Sequence, residues 1–398
     1  MMSQELKLRQ KAIRLKEARR TVSWICQHVE RSREWFYKWW NRYLEEGAVG
    51  LRDRSHAPKS NRREWSQEMC QAILRIRDRL MRRQGRRQRY RLAGAPTIHH
   101  ELACLGYDPL PSLRTIERIL QRGERTSPAF RVQACASSST YPVARARRSN
   151  QRHQMDLIGP RYLKGSRRQW FFLVYRDIYD GAVFVEFQPK PKLETVLAFV
   201  VRAWQHLGLP DILQVDNSDL FGLTSHPGSL NRFVRLALLV GVELTFIPEH
   251  EPWRNGSIEQ FNGWLQERLF AINLHSPAQV RRELQAMMET CFHQNIHPAL
   301  NFQTTAQVRR TFTPRTLPHN FRRHRQPLPV AIGRVTFLRR VRPSGRITIL
   351  GVKFKIGKRL AHQYISATLY TRTMILKIYS QARLIKKFDF PFIGKRLL

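Results

Sequence analysis

Apolar side chains recur with helical spacing in roughly the first third of the chain and with strand spacing in much of the remainder. From Leu6 to Tyr43 the apolar positions return every three or four residues, which predicts three short helices with a break near Glu30. Ser32 follows that break, where a serine oxygen can accept the free N–H groups that begin the third helix. Three short helices with a tight turn before the third predict a helix-turn-helix module over residues 1–56.

A second helical pattern covers residues 64–123. Met69, Ile73 and Ile76 return at helical spacing, and Ser112 is the predicted N-cap of the last helix. For the first module, a plain helical bundle with an aromatic core is the alternative to a DNA-binding unit. Polar and basic residues at 56–63 and 124–150 predict linkers.

Strand and helix patterns alternate between residues 151 and 312. Their order is three strands, a helix, a strand, a helix, a strand and a final helix, which predicts a mixed α/β sheet. From 328 to 398 several short strands follow at close spacing, which predicts a small β-barrel. The chain is therefore expected to be multidomain, with all-α, α/β and all-β parts.

Three acidic residues stand where the α/β pattern changes element. Asp156 lies on the first predicted strand, Asp216 ends the fourth, and Glu259 opens the helix after a Pro/Asn/Gly loop. Oxygen ligands on few carboxylates suit Mg²⁺, and two such ions can activate a nucleophile and stabilise the leaving oxygen of a phosphodiester. Asp177 and Asp180 fall in a predicted turn and are assigned no metal.

Asp156, then Asp216-Asn217, then the segment Pro252 to Asn262 resembles the catalytic core of the DDE transposase and retroviral-type integrase superfamily. The resemblance implies an RNase H-like core that joins DNA by hydroxyl attack on phosphodiesters. It also implies that Asp156, Asp216 and Glu259 are catalytic and hold two Mg²⁺ ions, for which Mn²⁺ can substitute. The C-terminal strands resemble the SH3-like barrel of the same superfamily.

Three positions depart from the family pattern. Ser218 stands where the family usually has Gly, Gln260 replaces a common Arg, and Gln266 stands where many members place a DNA-contacting Lys. The spacing from Asp216 to Glu259 is also longer than usual, and a predicted loop at 222–229 accounts for the surplus. None of these differences removes an expected metal ligand.

Side chains expected to contact DNA occur in both helical modules and in the loop before Glu259. They are Arg33, Lys38, Arg42, Arg114, Thr115, Arg118, Arg254 and Asn255. Asn217 and Asn262 are expected to support the acidic residues. Residues 111–118 resemble a second recognition helix of this transposase group.

The charge of the chain strengthens the expectation of a nucleic-acid partner. Its 398 residues include 70 Lys and Arg against 30 Asp and Glu, a formal net charge of +40. Such a surplus indicates a nucleic acid as the partner, which the resemblance implies is double-stranded DNA, with a membrane surface as the weaker alternative. Five scattered cysteines and no signal-peptide core favour a reducing cytoplasm. The resemblance, which is strongest to bacterial insertion-sequence enzymes, implies a bacterial protein on the nucleoid.

The sequence thus predicts a DNA transposase that binds element ends and catalyses Mg²⁺-dependent 3′-end cleavage and strand transfer. Family behaviour implies a homo-oligomer on paired ends. Any ATP-dependent targeting would need a separate protein, because the sequence has no GxxxxGK[ST] loop. Two alternatives remain: a catalytically silent, domesticated transposase that binds specific DNA, and an RNase H-type nuclease. The end sequence, target preference, oligomer number and the choice between cut-and-paste and replicative transposition are not readable from the chain.

Overall fold

The computed structural model describes residues 4–53, 65–82, 85–126, 145–218, 221, 227–248, 251–318, 321 and 328–392. The predicted linker at 56–63 lies outside these ranges, as do 127–144 of the second linker and 222–226 of the predicted loop. The chain divides into two compact units, Met1–Trp65 and Ser66–Leu398.

The first unit contains the three predicted helices. They are α1 (Gln4–Glu17), α2 (Val22–Val29) and α3 (Arg33–Glu46), followed by a 3-10 turn at Gly47–Leu51. The break comes at Glu30, whose φ of 52° is left-handed, and Ser32 then accepts the Trp35 N–H at 3.2 Å. Phe36 and Trp39 turn inward, so part of the aromatic run is core, as the pattern predicts.

The second unit begins with four helices. They are α4 (Gln67–Met81), α5 (Arg86–Arg89), α6 (Ala95–Cys104) and α7 (Leu113–Arg122). The predicted apolar face of α4 is buried, including Met69, Ile73 and Ile76. Ser112 caps α7 by accepting the Thr115 N–H at 3.2 Å, which confirms the predicted start of that helix.

A basic run in this region ties the helices to the α/β core. Arg86 and Arg89 form ion pairs with the buried Glu283 at 3.0 and 2.6 Å, and Tyr90 donates its hydroxyl to the same carboxylate at 2.9 Å. Asn295 adds bonds to the backbone on either side of Arg91. Arg86 and Arg89 therefore neutralise a buried glutamate. They contribute less positive charge to the surface than a basic run in the sequence would indicate.

The α/β region has the predicted element order. Its elements are β1 (Arg152–Arg161), β2 (Trp170–Asp177), β3 (Val183–Gln188), α8 (Leu193–Leu207), β4 (Ile212–Val215), α9 (Arg232–Leu239), β5 (Glu243–Phe246), α10 (Gly256–Leu269) and α11 (Pro277–His293). Strand β1 pairs antiparallel with β2 and parallel with β4, which gives the order β3-β2-β1-β4-β5. One face of the sheet packs on α8 and α9, and β1–β3 pack on α10 and α11 from the other.

The remaining elements follow α11. They are β6 (Ile296–His297), β7 (Gln303–Thr304), α12 (Thr305–Arg309), β8 (Arg334–Arg340), β9 (Arg346–Ile349), β10 (Val352–Lys355), β11 (Tyr364–Tyr370), β12 (Ile375–Ser380) and β13 (Arg383–Asp389).

The C-terminal strands continue the sheet of the core. Strand β8 pairs in parallel with β5, so nine of the thirteen described strands form one sheet that ends β5-β8-β11-β12-β13. Phe246 of β5 stacks on Phe337 of β8 at a centroid distance of 5.1 Å. The hairpin β9–β10 forms a sheet of its own. The described strands do not pair into a closed SH3-like barrel, because one edge of β8 pairs with β5 of the core sheet. The SH3-like barrel therefore stays a prediction.

Candidate active site

Asp156 lies on β1, and Asp216 directly follows β4, the parallel neighbour of β1. Strands β1 and β4 are in register from Arg152 opposite Ile212 to Gln154 opposite Gln214. If the same register continues for two residues beyond the pair Gln154–Gln214, Asp156 lies opposite Asp216. Because side chains two residues apart in a strand point to the same face, both aspartates then lie on the face of the sheet that carries Gln154 and Gln214. Both carboxylates are half-buried.

Two glutamines hold the helix that carries Glu259 over this face of the sheet. Gln154 accepts the Ile258 N–H at 3.0 Å, and Gln214 donates to the Asn255 side chain at 2.8 Å. Glu259 is thereby fixed in the first turn of α10. The motif Gln-x-Asp occurs on both strands and is a signal that sequence analysis could have used, because period two places each glutamine beside its aspartate.

Asp156 has two hydrogen-bond donors. The Leu157 N–H donates to Oδ1 at 2.8 Å, and Asn262 Nδ2 donates to Oδ2 at 2.6 Å. The remaining Oδ1 of Asn262 is buried without a partner. Asp216 accepts the Ser218 N–H at 3.1 Å, while the Ser218 hydroxyl is a buried group without a partner. Buried polar atoms of this kind usually find a partner in a bound ion, water or substrate.

The acidic residues repel one another. Burial, together with the negative charges of Asp216 and Glu259, raises the pKa of Asp156 to about 6 against the lowering effect of its two hydrogen bonds. Burial also raises the pKa of Glu259. In the described part of the chain, no Lys or Arg forms an ion pair with any of the three. A cluster of this kind is stabilised by a cation.

The donor set fits Mg²⁺ better than a metal that needs a complete protein cage. Within the described ranges, no three His, Cys, Asp or Glu side chains converge on one point as ligands of a single ion. Mg²⁺ commonly takes one or two carboxylates and completes its shell with water and substrate phosphate. A pair formed by Asp156 and Asp216, with Glu259 nearby, supplies oxygen ligands of that type.

Asn217 connects the acidic residues to the C-terminal sheet. Its side-chain amide donates to the Ile247 carbonyl, and its Oδ1 accepts from Arg339 of β8 at 2.7 Å. These two bonds hold the turn after Asp216 in place, and the expected support of the acidic residues by Asn217 stays a prediction. Arg339 was missed by the sequence analysis, because an arginine in an alternating strand is normally assigned to the solvent face.

Gln266 contacts an arginine. Its Oε1 accepts from Arg161 at the end of β1, and its Nε2 donates to the Asn262 carbonyl at 3.2 Å. Arg161 is exposed. The site thus has a cation beside position 266 although α10 does not supply it.

The predicted DNA contacts at the loop before α10 differ in exposure. Asn255 is buried and bonds Gln214, so its side chain holds α10 to the sheet and faces no solvent. Arg254 pairs with Glu251 at 3.0 Å and donates to Tyr364 at 3.1 Å, with 19% of its side chain exposed. The expected DNA contact of Asn255 is not supported, because the side chain has an internal partner.

The predicted contacts on the helical modules lie mostly on outer faces. Arg33 and Lys38 are exposed on α3, and Arg42 is half-buried with its guanidinium 4.9 Å from the Trp39 ring centre. On α7, Arg114 and Arg118 are exposed. Thr115 is half-buried, and its hydroxyl lies 3.0 Å from that of Ser112 within the cap.

The second acidic pair, Asp177 and Asp180, is fully buried and fully partnered. Arg309 of α12 donates to Asp177 at 2.8 Å and to Asp180 at 2.6 Å. Asp177 also lies 3.2 Å from His153, and Asp180 accepts the Ser149 hydroxyl at 2.7 Å. Burial by itself would raise the pKa of Asp177, but His153, a backbone N–H and Arg309 hold it below its ordinary value. This pair ties α12 to the sheet.

A cleft of about 1000 Å³ lies beside the acidic residues rather than around them. Gln154, Gln214, Thr245 and Thr336 line it, and the three acids do not.

No described helix is both long and apolar enough to cross a membrane. The cysteines of the described residues, Cys26, Cys70, Cys104 and Cys291, are free thiols.

Residues 8–59 match a family model described as a helix-turn-helix domain. Among solved structures, the chain is similar to the HTLV-2 integrase catalytic core domain in complex with magnesium, at 19% identity and a TM-score of 0.33, over 41% of this chain and 99% of that one. It is similar to a chain of the simian T-cell lymphotropic virus intasome in complex with PP2A regulatory subunit B56 gamma, at 16% identity and a TM-score of 0.36, over 75% and 95%. The catalytic core domain of BIV integrase matches at 18% identity and a TM-score of 0.31, over 40% and 93%.

Proposed function

We propose that this chain is a DNA transposase of the DDE transposase and retroviral-type integrase superfamily. The observation that carries the proposal is the placement of Asp156 on β1 and of Asp216 directly after the parallel neighbour β4, with Glu259 in the first turn of α10 and close enough for its charge to act on Asp156. No described cation neutralises these acids. The helix-turn-helix match over residues 8–59 and the net charge of +40 support a DNA substrate.

The acidic residues would bind two Mg²⁺ ions. When bound, such ions activate the attacking oxygen and stabilise the leaving oxygen of a phosphodiester. Asn262 keeps the Asp156 carboxylate oriented through its 2.6 Å bond. Gln154 and Gln214 fix the start of α10 and so the approach of Glu259. The chain's own contribution is therefore the placement of three carboxylates around the reacting phosphate.

Recognition of the element ends would fall to the helical modules. Arg33, Lys38 and Arg42 on α3, and Arg114 and Arg118 on α7, present cations and hydrogen-bond donors on helices of the type that enter a major groove. Two modules on one chain would read a longer sequence than one. Joining two ends to one target requires at least a pair of active sites, so a homo-oligomer on paired ends is part of the proposal.

Arg161 would replace the lysine that α10 lacks. It is exposed and bonded to Gln266, one helical turn beyond Asn262. A guanidinium at this place can contact a phosphate of the bound end. The departure from the family pattern at Gln266 would therefore not remove the positive charge from the site.

The test is strand transfer by the full chain. Duplex DNA is first selected from a random pool by binding to the protein, then offered with an exposed 3′-hydroxyl and a supercoiled plasmid. We expect joined product with Mg²⁺ or Mn²⁺ and none without a divalent ion. The Glu259→Gln variant should join at least about 100-fold more slowly, because even loss of a residue that orients a metal ligand costs 10–100-fold. It should bind the selected DNA like the wild type.

Glu267→Gln is the matched control, since it makes the same change on an exposed residue of the same helix. Selected DNA that is bound tightly but never joined, even with Mn²⁺ and a free 3′-hydroxyl, would contradict the proposal and favour a DNA-binding protein without chemistry. Cleavage of the DNA without joining would favour the nuclease.

A further inference from the structure

A buried arginine from the C-terminal sheet reaches the turn that carries Asp216. Arg339 stands on β8 and is 6% exposed. Its guanidinium donates to Asn217 Oδ1 at 2.7 Å and to the Ile247 carbonyl at 3.1 Å. Asn217 donates to the same Ile247 carbonyl. The three groups form a closed set of hydrogen bonds directly beside a proposed metal ligand.

The set joins three segments that are distant in sequence. Ile247 follows β5, Asn217 follows β4, and Arg339 lies on β8, which pairs in parallel with β5. The Arg339 guanidinium also donates to the Leu338 carbonyl at 2.9 Å, which holds it against the backbone of β8. The turn after β4 is therefore fixed from outside the five-stranded core.

The chemistry of the side chain matters for this arrangement. A guanidinium is a planar fork that can serve several acceptors at fixed angles, whereas an ammonium is a single charged centre on a flexible stem. Arg339 uses NH2 for Asn217 and NH1 for the Ile247 and Leu338 carbonyls. A lysine at 339 would retain the charge and lose this geometry.

We propose that Arg339 is a positioning residue for catalysis, which acts through Asn217 to hold Asp216 at its place beside Asp156. The proposal rests on the function proposed above. It gives the C-terminal strands a part in the chemistry. A small displacement of a metal ligand is costly, because residues that orient ligands contribute 10–100-fold to affinity or activity.

The test compares Arg339→Lys with the wild type in the strand-transfer reaction with selected DNA. We expect the maximal joining rate to fall by about 10–100-fold and the Mg²⁺ concentration for half-maximal rate to rise. Affinity for the selected DNA should change less than about twofold, since the expected end-reading residues lie on α3 and α7. Arg340→Lys is the matched control, because Arg340 is the next residue of β8 and is exposed.

A double-mutant cycle tests whether Arg339 acts through Asn217. If it does, Arg339→Lys in the Asn217→Ala background should add little to the loss caused by Asn217→Ala alone. Full additivity of the two losses would overturn the proposal. So would an Arg339→Lys protein with wild-type rate and wild-type Mg²⁺ dependence.

Amide hydrogen exchange provides a readout that does not depend on activity. In Arg339→Lys the peptide that spans Asp216 to Ser218 should exchange faster, while α8 exchanges as in the wild type. An unchanged rate in that peptide would overturn the proposal. Lack of joining by the wild-type chain would instead count against the proposed function, and the exchange result would still decide whether Arg339 holds the turn.

Discussion

Two acidic pairs stand on the same sheet and have opposite surroundings. Asp177 and Asp180 are fully buried, and Arg309 bridges them from α12. Asp156 and Asp216 are half-buried, and no described cation pairs with them. In the first pair, His153, a backbone N–H and Arg309 hold the pKa of Asp177 below its ordinary value. In the second, burial and neighbouring charge raise the pKa of Asp156 to about 6.

The presence or absence of an internal cation distinguishes a structural aspartate from a functional one. A buried carboxylate that stabilises a fold has its counter-charge supplied by the chain. A carboxylate that binds a metal ion must lack an internal counter-charge, because a neighbouring arginine would compete with the metal ion for the carboxylate. The lack of a described cationic partner at three neighbouring acids is therefore more informative than their presence in a motif.

Removal of the internal cation should give the largest effect on stability. Arg309→Met leaves Asp177 and Asp180 buried without their bridge, and loss of one partner of a buried pair costs about 3–5 kcal/mol. Urea unfolding of the full chain measures the change. Arg310→Met, at the exposed next position, should change the free energy of unfolding by less than about 0.5 kcal/mol. Equal effects of the two variants would refute the structural assignment of this pair.

Neutralisation of the second pair should spare stability and remove activity. Asp216→Asn relieves repulsion with Asp156, so we expect the free energy of unfolding to stay level or rise. The joining rate should fall at least about 100-fold, since a neutral amide is a poor Mg²⁺ ligand. Asp211→Asn, at the opposite end of β4 and 38% exposed, is the control and should leave joining intact. A destabilised Asp216→Asn protein would mean that this acid, too, is structural.

Acid should destabilise the protein through the first pair. The pKa of Asp177 is lowered in the folded chain. Its contribution is fully present above the unfolded pKa of about 3.9 and is lost as the pH falls through the lower, folded value. Stability between pH 7 and 5 should therefore not depend on this group. The loss below about pH 4 should be shallower in Asp177→Asn than in the wild type, and identical slopes in urea unfolding would exclude the assignment.

Much of the fold follows from local pattern. Asp156 lies on the first strand of the α/β region and Asp216 directly follows the fourth, the element order is the predicted one, and the serine caps of α3 and α7 are present. These features depend on neighbouring residues, so the sequence contains the information directly. The position of Glu259 at the start of α10 was predictable for the same reason.

Contacts between distant segments could not be predicted in this way. The parallel pairing of β5 with β8 brings together Leu244 and Val335, and no local signal marks which edge a strand will join. The function of Arg339 depends on that pairing. Likewise, a basic run looks the same in sequence whether it faces DNA or an acid of the fold, and only the structure shows Glu283 between Arg86 and Arg89.

The most direct test of the central claim is Mn²⁺ binding to the complex of the full chain with selected DNA, followed by electron paramagnetic resonance. Because Mn²⁺ takes the oxygen ligands that suit Mg²⁺, it reports on the same acids. We predict that the wild type and Asp211→Asn bind the ion and that Asp216→Asn binds it at least about tenfold more weakly. Equal binding by Asp216→Asn and the wild type would contradict the account, because the ion would then be held elsewhere.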